Sequence, residues 1–168
     1  MLPTWMGLDG NGLGNGFLFD DVTLAEGNSG TSLFHFTVTL TPSSSQEVRV
    51  SYQTGNGSAA AVSDYYYYAA DQLIFSPGQT IKGIDVWVVG DTVREPDETF
   101  YVGLSAPANA YISDPQGRGT IVSEELPVAV SISADGSQVS EAGPSGSFTV
   151  SRVGTTVGPL TVYYAVEG

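Results

Sequence analysis

From residue 20 onward the apolar positions do not recur with a helical period. They fall in short runs rich in β-branched and aromatic residues, many of them alternating, and clusters of Gly, Pro, Ser and Asn separate the runs. The pattern predicts strand A near residues 20–25, B at Leu33–Leu40, C at Val48–Thr54 and D at Gln72–Phe75. It continues with E at Ile81–Val89, F at Thr99–Leu104 and G at Gly119–Val122. Pro42-Ser43-Ser44-Ser45 punctuates B to C, and Pro77-Gly78 punctuates D to E. Seven short strands at this spacing predict an all-β chain folded as an immunoglobulin-like antiparallel β-sandwich. Alternation points His35 away from the face that takes Phe34 and Phe36, and Trp87 is expected in the core.

The same pattern recurs. Phe36-Thr37-Val38 reappears as Phe148-Thr149-Val150 and Val50-Ser51-Tyr52 as Val162-Tyr163-Tyr164, both 112 positions later. A period of that length means tandem domains, because solenoid repeats run about 20–50 residues. The expected organisation is a Gly/Asn-rich leader or linker at residues 1–18, a complete sandwich at 19–126, and the A, B and C strands of a second copy at 127–168. Three strands of a sandwich leave an apolar face uncovered, so the chain reads as a piece of a longer array.

Charge narrows the chemistry. The 168 residues hold 5 Lys+Arg against 18 Asp+Glu, a formal net charge of -13, which disfavours nucleic acid and anionic lipid and favours cations. Zero Cys and one His exclude thiol chemistry and the nitrogen- and sulfur-rich sites that zinc and copper prefer. No apolar run approaches membrane-spanning length, so direct membrane insertion is not expected. In a sandwich of consecutive antiparallel strands, loops A–B, C–D and E–F and the end of G emerge at one pole. Those segments carry Glu26, Asp64, Asp71, Asp91, Glu95, Asp97, Glu98, Glu124 and Glu125. The opposite pole holds only Glu47 and Asp114, apart from the chain entry at Asp20-Asp21. Gathered carboxylates repel, by roughly 4 kcal/mol for two charges about 4 Å apart at an effective dielectric near 20. Such loops splay into water, keep some groups protonated, or close around a hard cation, for which calcium's demand for about 6–8 oxygens is the best match.

Several short motifs stand in order along the same stretch. They are Glu26-Gly27-Asn28-Ser29-Gly30, Val50-Ser51-Tyr52-Gln53-Thr54, Ser63-Asp64-Tyr65, Phe75-Ser76-Pro77-Gly78-Gln79-Thr80 and Gly90-Asp91-Thr92-Val93-Arg94-Glu95-Pro96-Asp97-Glu98-Thr99-Phe100. With them, residues 20–125 resemble the Calx-β domain, the module of sodium–calcium exchangers and integrin β4 that also occurs in arrays in bacterial surface proteins. The resemblance implies calcium binding at the acidic pole. The ligands it implies are Glu26, Asp64, Asp91, Glu95 and Glu98, the backbone carbonyl of Val93, and the closing acids Glu124 and Glu125. Two departures stand out. The exchanger pattern enters the E–F loop with consecutive Asp where this chain has Gly90-Asp91, and it closes with an Asp run where this chain has Ser123-Glu124-Glu125. Fewer, longer-armed carboxylates imply one or two calcium ions, held between about micromolar and millimolar affinity.

The reading is therefore of a calcium-binding structural or adhesion module, not an enzyme, from a larger extracellular or cell-surface repeat protein. Its expected partners are calcium ions, neighbouring repeats of the same chain, and a cell-surface protein or glycan. Cation binding is expected to stiffen the joint between domains. The competing readings are a spacer that has lost its metal and a carbohydrate- or protein-binding accessory module. The latter would use the exposed members of Tyr65–Tyr68, with Tyr66 and Tyr67 the candidates. Glu95 and Glu98 are crowded into one short loop rather than flanking a cleft, which argues against glycoside hydrolysis.

Overall fold

The computed structural model describes residues 14–135, 143, 146–154 and 158–165. Two sheets face each other. One has the order β6-β3-β1-β8 and the other β2-β9-β7-β4-β5. The strands are β1 (Gly16–Phe19), β2 (Val22–Ala25), β3 (Thr31–Thr41), β4 (Val48–Asn56), β5 (Asp71–Phe75), β6 (Ile81–Val89), β7 (Glu98–Ala108), β8 (Tyr111–Ile112) and β9 (Gln116–Val122). B to G of the sequence reading are β3, β4, β5, β6, β7 and β9. No helix among the described residues is long and apolar enough to cross a membrane.

Period-2 patterning fills the space between the sheets. On β3, Phe34, Phe36, Val38 and Leu40 point inward; on β6, Ile84, Val86 and Val88; on β7, Phe100, Val102 and Leu104. Phe100 is the hub between the layers, with ring centroids 5.5 Å from Phe34, 5.9 Å from Phe36 and 4.7 Å from the stacked ring of Tyr65. Its cross-strand partner is Gly119. A Cβ there would sit 2.4 Å from the Phe100 ring, so glycine is what lets the ring lie across β9.

Strand A departs from expectation. The chain begins in the first sheet, where β1 pairs antiparallel with β3, then crosses to the second, where β2 pairs parallel with β9. Asp20 and Asp21 form the crossover and pin it to both layers. The Asp20 carboxylate accepts the Thr37 amide at 2.6 Å, and the Asp21 carboxylate accepts the Arg118 amide at 2.8 Å. The leader boundary at residue 18 is thereby corrected: Gly16–Phe19 is a strand, and Phe17 is fully buried against Phe75, with centroids 5.5 Å apart. Residues 1–13 of the expected leader lie outside the described residues. Trp87 is a second correction. It is 40% exposed, because it alternates with the inward-facing Val86 and Val88.

Beyond residue 126, β10 (Ala129–Ala134) and β11 (Phe148–Val153) pair antiparallel as a separate two-stranded sheet, where strands A and B of a second copy are expected. The expected third strand, around Val162-Tyr163-Tyr164, is not in a strand. Its counterpart β4 takes its ladder bonds from β5 and β7, and the described residues after 126 contain neither equivalent.

Candidate metal centre

The loops sort to two poles as antiparallel parity requires. At one, the Gly78 amide donates to the Ser44 carbonyl at 2.8 Å and the Asn109 side-chain amide to the Glu47 carbonyl at 2.9 Å, tying D–E and F–G to B–C. At the other, the Val89 amide donates to the Asp64 carbonyl at 2.8 Å and the Gly90 amide to the Gly30 carbonyl at 3.1 Å. This second pole collects the acids.

Glu26 follows β2, and its backbone is held on both sides. Its amide donates to the Val122 carbonyl at 3.3 Å, and its carbonyl accepts the Ser32 hydroxyl at 2.5 Å. Glu124 and Glu125 leave the end of β9. The carboxylates of Glu26, Glu124 and Glu125 can all be brought to one ion, with an oxygen of each within 4.8 Å of the others. Asp64 of the C–D segment, Glu95 of the E–F loop and Glu98 at the start of β7 form a second triad within the same 4.8 Å limit. Asp91 belongs to neither triad; its carboxylate accepts the Val93 amide at 2.6 Å and shapes the E–F loop. Val93 itself is exposed. Asp71 and Asp97 join neither triad either, and the Asp71 carboxylate accepts the Tyr52 hydroxyl at 3.2 Å and the Gln72 amide at 2.7 Å.

Electrostatics links the triads. Burial pushes the Glu26 carboxyl from 4.5 up to about 7, helped by the charges of Glu125, Asp91, Glu95 and Glu124. Glu95 is raised by burial and then by Asp64, Asp91 and Glu125, so it feels both triads. Glu98 is raised by burial and by Asp64. Glu26 is 5% exposed and Glu125 is 9% exposed. The Glu125 Oε1 atom is buried with no hydrogen-bond partner, an expensive state for a carboxylate oxygen. Hard oxygens, crowded and under-satisfied, with no nitrogen or sulfur donor among them, suit a hard divalent cation.

Two residues that sequence reading undervalued complete the pole. Ser123, which stands where the exchanger pattern has an acid, donates its hydroxyl to Glu125 Oε2 at 2.7 Å and accepts the Glu95 amide at 3.3 Å. It thus ties the E–F loop to the end of β9. Asn28, inside the Glu26–Gly30 motif, donates to Glu124 Oε1 at 3.4 Å. Gly90 has a steric cause: a Cβ there would lie 2.3 Å from the Gly27 carbonyl oxygen and 2.7 Å from that of Glu26. The aromatic run divides as two inward and two outward. Tyr65 is fully buried, Tyr68 half-buried, and Tyr66 and Tyr67 exposed. His35 faces outward from β3, beside Asp85 at 2.5 Å.

The Calx-beta domain model matches residues 17–125. Sodium/calcium exchanger 2 of Mus musculus is 41% identical over 68 residues, 40% of this chain and 7% of the exchanger. Adhesion G-protein coupled receptor V1 of Danio rerio is 42% identical over 57 residues, 34% of this chain and 1% of the receptor. The matched segment thus spans a small part of either relative. Among solved structures, the apo form of the Calx CBD1 domain superposes with a TM-score of 0.58 at 24% identity, over 66% of this chain and 97% of that one. The calcium binding domain CBD12 of CALX1.1 gives a TM-score of 0.62 at 19% identity, over 83% and 71%. At those identities the superpositions establish a shared fold, while the family model covers the whole sandwich together with every motif at its acidic pole: the chain belongs to the Calx-beta domain family.

Proposed function

We propose that the sandwich is a calcium-binding module whose ion or ions sit among Glu26, Asp64, Asp91, Glu95, Glu98, Glu124 and Glu125, with the Val93 carbonyl as a further oxygen. One observation carries the reading. Glu125 is 9% exposed beside Glu26 and Glu124, yet keeps an oxygen without a hydrogen bond. A protein gains nothing from burying that oxygen unless something positive takes it. The sodium/calcium exchangers among the relatives and the calcium binding domain among the structural matches support the choice of ion. The protein's part is to gather the oxygens, exclude water from the Glu26–Glu125 side and let repulsion relax when charge is neutralised.

Glu124 and Glu125 follow the last strand of the sandwich, so an ion bound there would hold the outgoing chain against the A–B and E–F loops. We read the module as a calcium-stiffened joint of an extracellular or cell-surface repeat protein with a structural or adhesive role. The repeat at residues 127–168 supports that setting.

Calorimetric titration of the metal-stripped protein with calcium tests the reading. One or two sites are expected, with affinity weakened at least about tenfold, or about 1.4 kcal/mol, by Asp64→Ala and by Glu125→Gln. Absence of heat up to about 10 mM calcium, beyond the weak end for extracellular modules, would leave a spacer.

A further inference from the structure

The outward face of the four-stranded sheet carries a group of side chains that the acidic pole does not use. On β3 and β6 the inward positions are Phe34, Phe36, Val86 and Val88, which leaves Leu33, His35, Asp85 and Trp87 facing out. Leu33 lies opposite Trp87, and His35 opposite Asp85. β6 is an edge strand of its sheet, and the C–D segment pairs along its free side. Tyr65 bridges Val88 antiparallel, and the Tyr66 amide donates to the Trp87 carbonyl at 2.9 Å. The same register sets Tyr66 opposite Trp87. Leu33, Trp87 and Tyr66 therefore form a row across the surface, with Trp87 40% and Tyr66 51% exposed. At about 5 Å between strands the row is about 10 Å long. The adjoining row is the His35–Asp85 pair.

Exposed aromatic rings beside a carboxylate and an imidazole match the two sides of a sugar. The rings cover the C–H face, and the polar pair exchanges hydrogen bonds with hydroxyls. Charge and size choose among occupants. With a net charge of -13 and no Lys or Arg in either row, acidic polymers are repelled. Even at about 150–250 Å² per aromatic ring, three partly covered side chains fall short of the roughly 800 Å² per partner that a stable protein interface buries. We propose that Leu33, Trp87 and Tyr66 form a platform for a neutral oligosaccharide, whose hydroxyls Asp85 and His35 hydrogen-bond. The assignment does not depend on the cation reading.

The chain has 2 Trp, so Trp5→Phe leaves Trp87 as the single indole reporter. This protein is titrated with cellohexaose, chitohexaose and mannohexaose, in calcium and again in chelator, while its emission is followed. A saturable change with at least one of them is expected, at a dissociation constant below about 1 mM. Tyr66→Ala and Asp85→Asn should each weaken it at least about fivefold at an unchanged melting temperature, since these side chains are exposed. Trp87→Ala, followed by calorimetry, should abolish binding. No saturable response to any of the three sugars in either condition, or binding that survives Trp87→Ala, overturns the platform. Either result leaves the calcium titration to be judged separately.

Discussion

At the scale of single residues, the acidic pole is governed by burial as much as by charge count. Glu26 is the extreme case, with its carboxyl moved from 4.5 to about 7. Unfolded, the same group returns to its ordinary value. Between those two pH values the folded chain therefore holds more protons than the unfolded one, and stability falls as pH rises through the window. Glu95 and Glu98 are shifted in the same direction and add to the trend. The metal-free protein is expected to melt higher at about pH 5 than at about pH 8, and saturating calcium should shrink that difference. Melting curves across this range in chelator and in calcium check the sign. Gly90 gives a second residue-level test. Introducing the acid of the exchanger pattern there, as Gly90→Asp, would push a side chain into the Gly27 and Glu26 carbonyls. It is expected to cost about 1–3 kcal/mol, as overpacking does, and to weaken rather than improve cation binding; denaturant unfolding and calcium titration of the variant read both effects.

The roles of Gly90 and Ser123 also mark where sequence reading stopped. The acids of the pole were legible because charge and loop parity are linear properties of the chain. That Ser123 bridges Glu95 and Glu125, and that Gly90 is fixed by contact with the A–B loop, depends on distances that no motif encodes.

At the scale of elements, the strands that were easy to read are those with one face buried. β6 was placed at Ile81–Val89 in the sequence and occupies those residues in the fold. β3 and β7 run a few residues longer than the apolar pattern alone requires. The first strand departs from expectation because its two halves serve different sheets, and the Gly/Asn-rich lead-in makes residues 16–18 read as linker. Trp87 is expected in the core, yet the alternation that locates Val86 and Val88 inside places it outside; position within the pleat outweighs hydrophobicity here. Where both sheets converge, Phe100 contacts the rings of Phe34, Phe36 and Tyr65. Phe100→Ala is expected to cost about 3–5 kcal/mol in chemical denaturation. Through Tyr65 it should also loosen the C–D segment that holds Asp64, which backbone hydrogen exchange at Val89 would register as faster exchange.

At the scale of the whole molecule, the described part divides into a sandwich with a filled interior and a two-stranded sheet whose apolar side chains stand exposed. Phe36 and Val38 are fully buried, whereas their counterparts Phe148 and Val150 are 68% and 55% exposed. Among the described residues the repeat thus carries the same apolar pattern with no opposing layer over it. The acidic end of the sandwich is the end from which the chain leaves toward β10, which is where the proposed stiffening of the joint would act.

Thermal unfolding of the metal-stripped protein with calcium and with chelator tests the central claim most directly. With calcium about a hundredfold above its dissociation constant, stabilisation of about 2.7 kcal/mol is expected. For a domain of this size that is a rise on the order of 10 °C, and it should be largely lost in Asp64→Ala. Identical melting curves with and without calcium at about 10 mM would contradict the account.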